Sequence, residues 1–299
     1  MPERALLAGI FDLDSVAGSI PMQAQAYASE AEAIADADVV FVATPIAAHV
    51  DTVLRALAAG RDVFVEKPIG ANGEEASAMV DAAERHGRRL FVGHSERFNP
   101  VVRALRREVH PESIRSATFC RMGAPRAAAA KTESRRERAR DLLLNLGVHD
   151  LDLAAYVTGS RAMARAAFGR EDAADVHLST GQGPARIRVG REGERERWLL
   201  VTTDEATYHG DLLHFRLAVR GNDHAPDQER ELPLDNEEPL LAQARAVFDA
   251  LDGKASEIAE GDDGAQAVRL AEKSLALLRK PSSLPALTAA TRYVGDPAE

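Results

Sequence analysis

At 299 residues, with 45% hydrophobic and 28% charged side chains, the chain has the make-up of a soluble globular protein and enough length for two ordinary domains. Its formal net charge of −10 argues against wrapping nucleic acid or lying on an anionic membrane, so small molecules are the expected partners. Cys120 is the single cysteine, which excludes disulfides within the chain and thiolate metal clusters and fits a reducing cytoplasm; no apolar run approaches the roughly 20 residues needed to span a bilayer, and "MPERALLAGIFDLD" lacks the length and cleavage pattern of a signal peptide.

Over the first hundred residues, short apolar runs alternate with helical stretches. The runs are "ALLAGIF" (5–11), "VVFVA" (39–43), "DVFV" (62–65) and "RLFVG" (89–93). Ser29 with Glu32 predicts a capping box at the start of one helix. Val50, Val53, Leu54 and Leu57 before Gly60, and Ala76, Met79, Val80 and Ala83 before Gly87, predict two amphipathic helices ended by glycine. Continuous apolar strands joined by helices indicate a parallel sheet covered on both faces, and such sheets bind ligands at the carboxyl ends of their strands. Asp12, Thr44 with Pro45, Glu66 with Lys67, and "GHSERFNP" (93–100) all fall at those ends. Singly, each reads as a cap, a strand stop or a solvated charge; their placement on one edge points to a ligand crevice.

After residue 100 the pattern changes. A basic stretch with Arg121, Arg126, Lys131, Arg135, Arg136, Arg138 and Arg140 leads into a helix-like segment at 142–159. Strand candidates follow at 176–180, 186–190, 198–203 and 212–219, then helices at about 237–252 and 262–279 and a proline-containing tail. Strands grouped without helical crossovers predict an α+β domain with a mostly antiparallel open sheet over residues 99–299, behind an α/β, Rossmann-type domain over residues 1–98. In the 142–159 segment, Asn145, His149, Asp152 and Tyr156 recur as one polar stripe among Leu, Val and Ala. Buried polar groups without partners cost about 1–3 kcal/mol each, so the stripe faces either a structural hydrogen-bond network or a cavity. A divalent metal on His149 and Asp152 is a further reading, but nothing completes a ligand pattern and no metal is expected.

"DVVFVATPIAAH" (38–49), "AGRDVFVEKPIG" (59–70), "FVGHSERFNP" (91–100) and "NLGVHDLDLAAYVTG" (145–159) resemble, in order and spacing, the Gfo/Idh/MocA oxidoreductases. That resemblance implies a nicotinamide-binding domain followed by a domain whose open sheet mediates a homo-oligomer, a dimer or tetramer. It implies NAD rather than NADP as cofactor, with Asp12 on the adenosine ribose hydroxyls and Thr44, Pro45, His49, Glu66, Lys67 and Arg97 lining the cofactor. It also implies Lys67 between nicotinamide and substrate and His149 as acid/base. An alcohol losing hydride needs a base near neutral pKa and a cation beside its oxygen, which imidazole and ammonium supply. The implied reaction is hydride transfer between a nicotinamide and a secondary alcohol of a sugar or nucleotide sugar. Asp152 is expected at the substrate, and Arg121 and Arg126 are placed to hold a diphosphate attached to it.

The sequence departs from the family in two places. Asn145 stands where the family usually has Asp four residues before the His; it can orient an imidazole but supplies no charge, and some members acting on nucleotide-linked sugars share it. The family's first strand, G-x-G-x-x-G turn and following helix do not precede "PERALLAGIFDLD". The sheet is therefore expected to be incomplete, through a misplaced start or a genuine loss. The alternative function is a non-catalytic relative that has lost cofactor binding and serves a binding or assembly role.

Overall fold

The computed structural model describes residues 5–13, 24–123, 134–169, 172–191, 193–223 and 228–279. The chain divides into two compact units, one of residues 1–94 with 240–268, the other of residues 95–239 with 269–299. In the first, β1 (Gly9–Ile10) pairs in parallel with β2 (Gln25–Ala26). β1 is shorter than the 5–11 run suggests; Leu6 and Leu7 stay exposed and outside the ladder. α1 (Glu30–Asp36) starts at Ser29, whose Oγ accepts from the Glu32 amide at 3.2 Å, while the Glu32 carboxylate accepts from the Ala28 amide at 3.1 Å. This is the expected cap, its return bond one residue further back.

β3 (Val39–Val42), α2 (Ile46–Ala58), β4 (Asp62–Val65), α3 (Gly73–His86) and β5 (Leu90–Val92) form two successive βαβ units. The strands are parallel, with Val39 opposite Asp62 and Val63 opposite Leu90. α2 buries Val53, Ala56 and Leu57, and α3 buries Ala76, Met79, Ala82 and Ala83, as helical spacing of apolar residues requires. Asn72 caps α3 by accepting from the Glu75 amide at 2.9 Å, and Gly87, at φ 59°, ends it in a left-handed turn that a side chain would strain.

The second unit begins with a 3-10 turn, Ser95–Phe98, and α4 (Pro100–Glu108), capped by Asn99. β6 (Ile114–Met122) follows. α5 (Arg135–Asp141), with a full capping box of Ser134 and Glu137, runs into a π-helical turn at Leu142–Gly147 and then α6 (Val148–Thr158). Then come β7 (Met163–Gly169), β8 (Ala173–Thr180), β9 (Gly183–Gly190), β10 (Glu196–Thr203), β11 (Ala206–Asp211), β12 (Arg216–Gly221) and β13 (Arg230–Glu231). The strand expected at 212–219 starts late: the Asp211 carboxylate takes the amides of Leu213 and His214 at 2.8 and 2.9 Å, which closes a turn and withholds those donors from a ladder.

α7 (Pro239–Leu251) and β14 (Ala259–Glu260) belong to the first unit, although pattern alone places them beyond the boundary at residue 98. β14 adds antiparallel to β5, giving the order β14-β5-β4-β3, and Phe248 of α7 stacks against Phe41, centroids 6.5 Å apart. α8 (Gly261–Leu277) leads into β15 (Leu278–Arg279), which closes the edge of the large sheet, ordered β13-β12-β11-β10-β6-β9-β8-β7-β15. That sheet is antiparallel except at β6 with β9 and β15 with β7. Phe119, Ile187, Leu199 and Val201 from its central strands are fully buried, as are Leu151 and Leu153 of α6.

Candidate functional site

In the first unit the ladder continues one residue past the strands. The Glu66 amide donates to Val42 O at 2.9 Å and the Gly93 amide to Val65 O at 2.8 Å, so Glu66 stands at the carboxyl edge between β3 and β5. Gly93 makes room for it: a Cβ there would lie 2.9 Å from Glu66 Oε2. The Lys67 amide donates to Glu66 Oε2 at 3.3 Å, the Lys67–Pro68 peptide is cis, and the Lys67 side chain is half-buried. His49 comes from the first turn of α2 and is buried. Its Nε2 lies 2.9 Å from Thr44 O and its Nδ1 3.1 Å from Pro68 O. The ring thus ties the end of β3 to the Lys67 loop through backbone carbonyls; its nitrogens are committed there, where the sequence reading has them lining a cofactor.

Thr44 and Pro45 are exposed, and Asp12 is exposed on the segment after β1. Pro45 offers α2 no side-chain cap, so the amides of the first turn depend on other acceptors. These amides, the Thr44 hydroxyl and the Lys67 ammonium make a donor set suited to an anionic dinucleotide, with the α2 dipole directed favourably for phosphate.

In the second unit, the stripe residues divide. Asp152 is buried and bidentate with Arg97, at 2.8 Å from Nε and 2.5 Å from Nη2, and the Arg97 guanidinium lies 4.7 Å from the centroid of the Tyr156 ring. Arg97 and Asp152, expected at cofactor and substrate, thus direct these polar atoms at each other. Arg121, expected to hold a diphosphate, is 2% exposed. Its Nε and Nη2 lie 2.7 and 3.2 Å from Asp150, its Nη1 2.9 Å from Glu96, and Arg197 reaches the same Glu96 oxygen at 3.1 Å. Burial works against the Arg121 charge, but Asp150 and Glu96 outweigh it and hold the guanidinium firmly protonated. Burial pushes the Asp150 carboxyl up while Arg121 pulls it down; bidentate contact with a guanidinium that keeps its proton leaves it an acceptor. Arg126 lies outside the described residues.

His149 is half-buried and Asn145 exposed on the same continuous helix, and the Asn145 amide donates to Asp141. Among the described residues no group of His, Cys, Asp and Glu is arranged to hold a metal ion, and no helix is long and apolar enough to cross a membrane. Cys120 is buried, its thiol pushed up to about 12 chiefly by burial. Glu96, Asp150 and Arg197 escaped the sequence reading. Glu96 and Asp150 lie in quoted motifs but off the polar stripe; Arg197 gives no periodic signal.

Residues 4–94 match the GFO_IDH_MocA family, described as an oxidoreductase family with an NAD-binding Rossmann fold. This segment resembles the Gfo/Idh/MocA oxidoreductases. Among curated relatives, the chain is 29% identical over 205 residues to the UDP-N-acetylglucosamine 3-dehydrogenase of Acidithiobacillus ferrooxidans, covering 63% of this chain and 62% of the relative. It is 26% identical over 215 residues to an inositol 2-dehydrogenase of Rhizobium meliloti, covering 68% of this chain and 60% of the relative. Among solved structures, GnnA, the UDP-N-acetylglucosamine 3-dehydrogenase of A. ferrooxidans, superposes with a TM-score of 0.79 at 22% identity, over 91% of this chain and 89% of that one. The likeness of fold to GnnA thus extends through the antiparallel sheet, while sequence similarity to each of these two curated relatives spans about 60% of its length.

Proposed function

We propose that the protein is an NAD-dependent oxidoreductase that moves a hydride between a secondary alcohol of a sugar or nucleotide sugar and a nicotinamide. The observation that carries this reading is the Glu66–Lys67–Pro68 turn at the carboxyl edge of β4, inside the segment that matches the NAD-binding family. The bound nicotinamide would supply the hydride acceptor. The α2 amides and Thr44 hold its phosphates, and Asp12 accepts from ribose hydroxyls and repels a 2′-phosphate, which favours NAD over NADP. Lys67 stabilises charge developing on the substrate oxygen, and His149 takes the hydroxyl proton. The relatives' names favour a nucleotide sugar or a cyclic polyol as substrate. With Arg121 buried, a diphosphate anchor rests on Arg126 and its basic neighbours. The open antiparallel sheet is the proposed homo-oligomer surface, and a lone buried thiol fits the cytoplasm.

The test is turnover with NAD and UDP-N-acetylglucosamine, N-acetylglucosamine and myo-inositol. Lys67→Ala and His149→Ala each lower turnover about 100-fold or more, with NAD affinity near that of the parent. Unchanged turnover in either variant removes that residue from the chemistry, and equal use of the UDP-sugar and free sugar removes the nucleotide-sugar assignment.

A further inference from the structure

The register of β10 against β6 sets Arg197 directly opposite Arg121. Like charges facing each other across a ladder repel, so the pair needs an acceptor between them. Glu96 is that acceptor: its Oε1 lies 2.9 Å from Arg121 Nη1 and 3.1 Å from Arg197 Nη1. Arg121 gives its remaining donors to Asp150, and its side chain is 3% exposed. Arg197 differs. Its side chain is 30% exposed, and its Nε and Nη2 have no acceptor among the described residues. Alternation along β10 puts Arg197 on the face of Leu199 and Val201, the same face from which Arg121 reaches Asp150 of α6. The contacts from Arg197 through Glu96 and Arg121 to Asp150 therefore end one residue from His149. The main chain beneath Arg197 is fixed as well: its carbonyl accepts from the buried Leu212 at 2.8 Å, and Leu212 O accepts from Asn99 Nδ2 at 3.0 Å. Burial, and then Arg121, pull the Arg197 guanidinium below its ordinary value, while Glu96 and Asp150 oppose them and the exposed Arg195 adds a further cation. A guanidinium keeps its proton regardless. Arg121, Arg195 and Arg197 thus face only Glu96 and Asp150, and this edge of the sheet carries a positive charge in excess, with open N–H donors.

We infer that Arg197 is a substrate-binding residue, whose Nε and Nη2 take a phosphate group carried by the sugar. These two nitrogens form one side of the planar fork and donate in parallel to two oxygens of a single phosphate. Glu96 holds Nη1 on the opposite side, which aims the fork, and the arriving anion balances the excess charge. The inference rests on the reading of the chain as a sugar or nucleotide-sugar oxidoreductase and names the phosphate-bearing class within it. It gives to β10 the role that the basic run in the sequence suggested for Arg121, whose donors are spent inside the protein.

The experiment is calorimetric titration of the full chain with UDP-N-acetylglucosamine, N-acetylglucosamine 1-phosphate, N-acetylglucosamine, glucuronic acid and NAD. The parent binds the two phosphate-bearing sugars more tightly than N-acetylglucosamine. Arg197→Gln weakens both by about 10–100-fold, as expected for the loss of charge-assisted hydrogen bonds, and leaves N-acetylglucosamine and NAD within about twofold of the parent. Arg197→Lys, which keeps the charge without the fork, recovers part of the loss. Should the variants fail to fold, the parent decides: phenylglyoxal labelling of Arg197, mapped by mass spectrometry, is suppressed by UDP-N-acetylglucosamine and not by N-acetylglucosamine. Unchanged affinity for the phosphate-bearing sugars in folded Arg197→Gln, or labelling of Arg197 indifferent to them, overturns the inference. An equal loss of NAD affinity also overturns it, by assigning Arg197 to the cofactor's phosphates. Glucuronic acid binding more tightly than either phosphate-bearing sugar overturns the phosphate class. If the losses appear as expected while no sugar is turned over with NAD, the anchor stands and the oxidoreductase reading falls.

Discussion

Replacing Asp150 by Asn tests the buried ionic cluster beside His149. The parent cluster balances two guanidinium groups, Arg121 and Arg197, against two carboxylates, Asp150 and Glu96. Asp150→Asn leaves both cations on one carboxylate and turns one acceptor atom into a donor aimed at Arg121. Two charge-assisted hydrogen bonds, at 2.7 and 3.2 Å, are lost or inverted in a site where the Arg121 and Asp150 side chains are 3% and 1% exposed. Removing one partner of such a pair costs about 3–5 kcal/mol. Glu96 still holds Arg121 Nη1 at 2.9 Å, which places the loss near the lower end, about 3–4 kcal/mol. Calorimetry should show the transition of the second unit falling by roughly 6–15 °C. The double variant Arg121→Met, Asp150→Leu, which removes both charges and refills the space, should lose less than Asp150→Asn alone. A loss under about 1 kcal/mol for Asp150→Asn would show that water reaches the cluster and would refute the reasoning.

Two other outcomes follow from packing and charge. Gly264→Ala puts a Cβ 2.8 Å from Val92 Cγ2 and 3.3 Å from Ile69 Cβ, so α8 must shift off β5; urea denaturation should show about 1–3 kcal/mol lost in the first unit, and a neutral result would mean the helix seat is compliant. Burial raises the Asp211 carboxyl, but the amides of His214 and Leu213 and the His214 ring outweigh it and bring it below its ordinary value. Because the folded-state value is depressed, the stabilisation is complete above pH ~4, where the unfolded carboxyl is charged, and is lost as pH falls through the folded value. Screening by solvent limits it to about 1 kcal/mol. Asp211→Asn should therefore narrow the stability difference from the parent as pH drops from ~5 to ~2; a constant difference would assign the effect to shape rather than charge.

The parallel half of the fold was legible because both signals were local: unbroken apolar runs for β3, β4 and β5, and three-and-four spacing for α2 and α3. β6, at the centre of the large sheet, was not, because its apolar alternation fails at Cys120, Arg121 and Met122, all buried. Arg121 is inside only because Asp150 and Glu96, 29 and 25 residues away, receive it. Read alone it was a surface cation in a basic run, and it drew the diphosphate assignment for that reason. The same limit applies to the polar stripe. Helical spacing showed that Asn145, His149, Asp152 and Tyr156 share a face, but Asp152 takes its partner from 55 residues earlier, and a period carries no information about what a face meets. Extending the stripe back by four residues reaches Asp141, which accepts from the Asn145 amide. Local spacing could have found that pair. Only the return of β9 could supply Arg191, and with it the reason the carboxylate stays beside the amide.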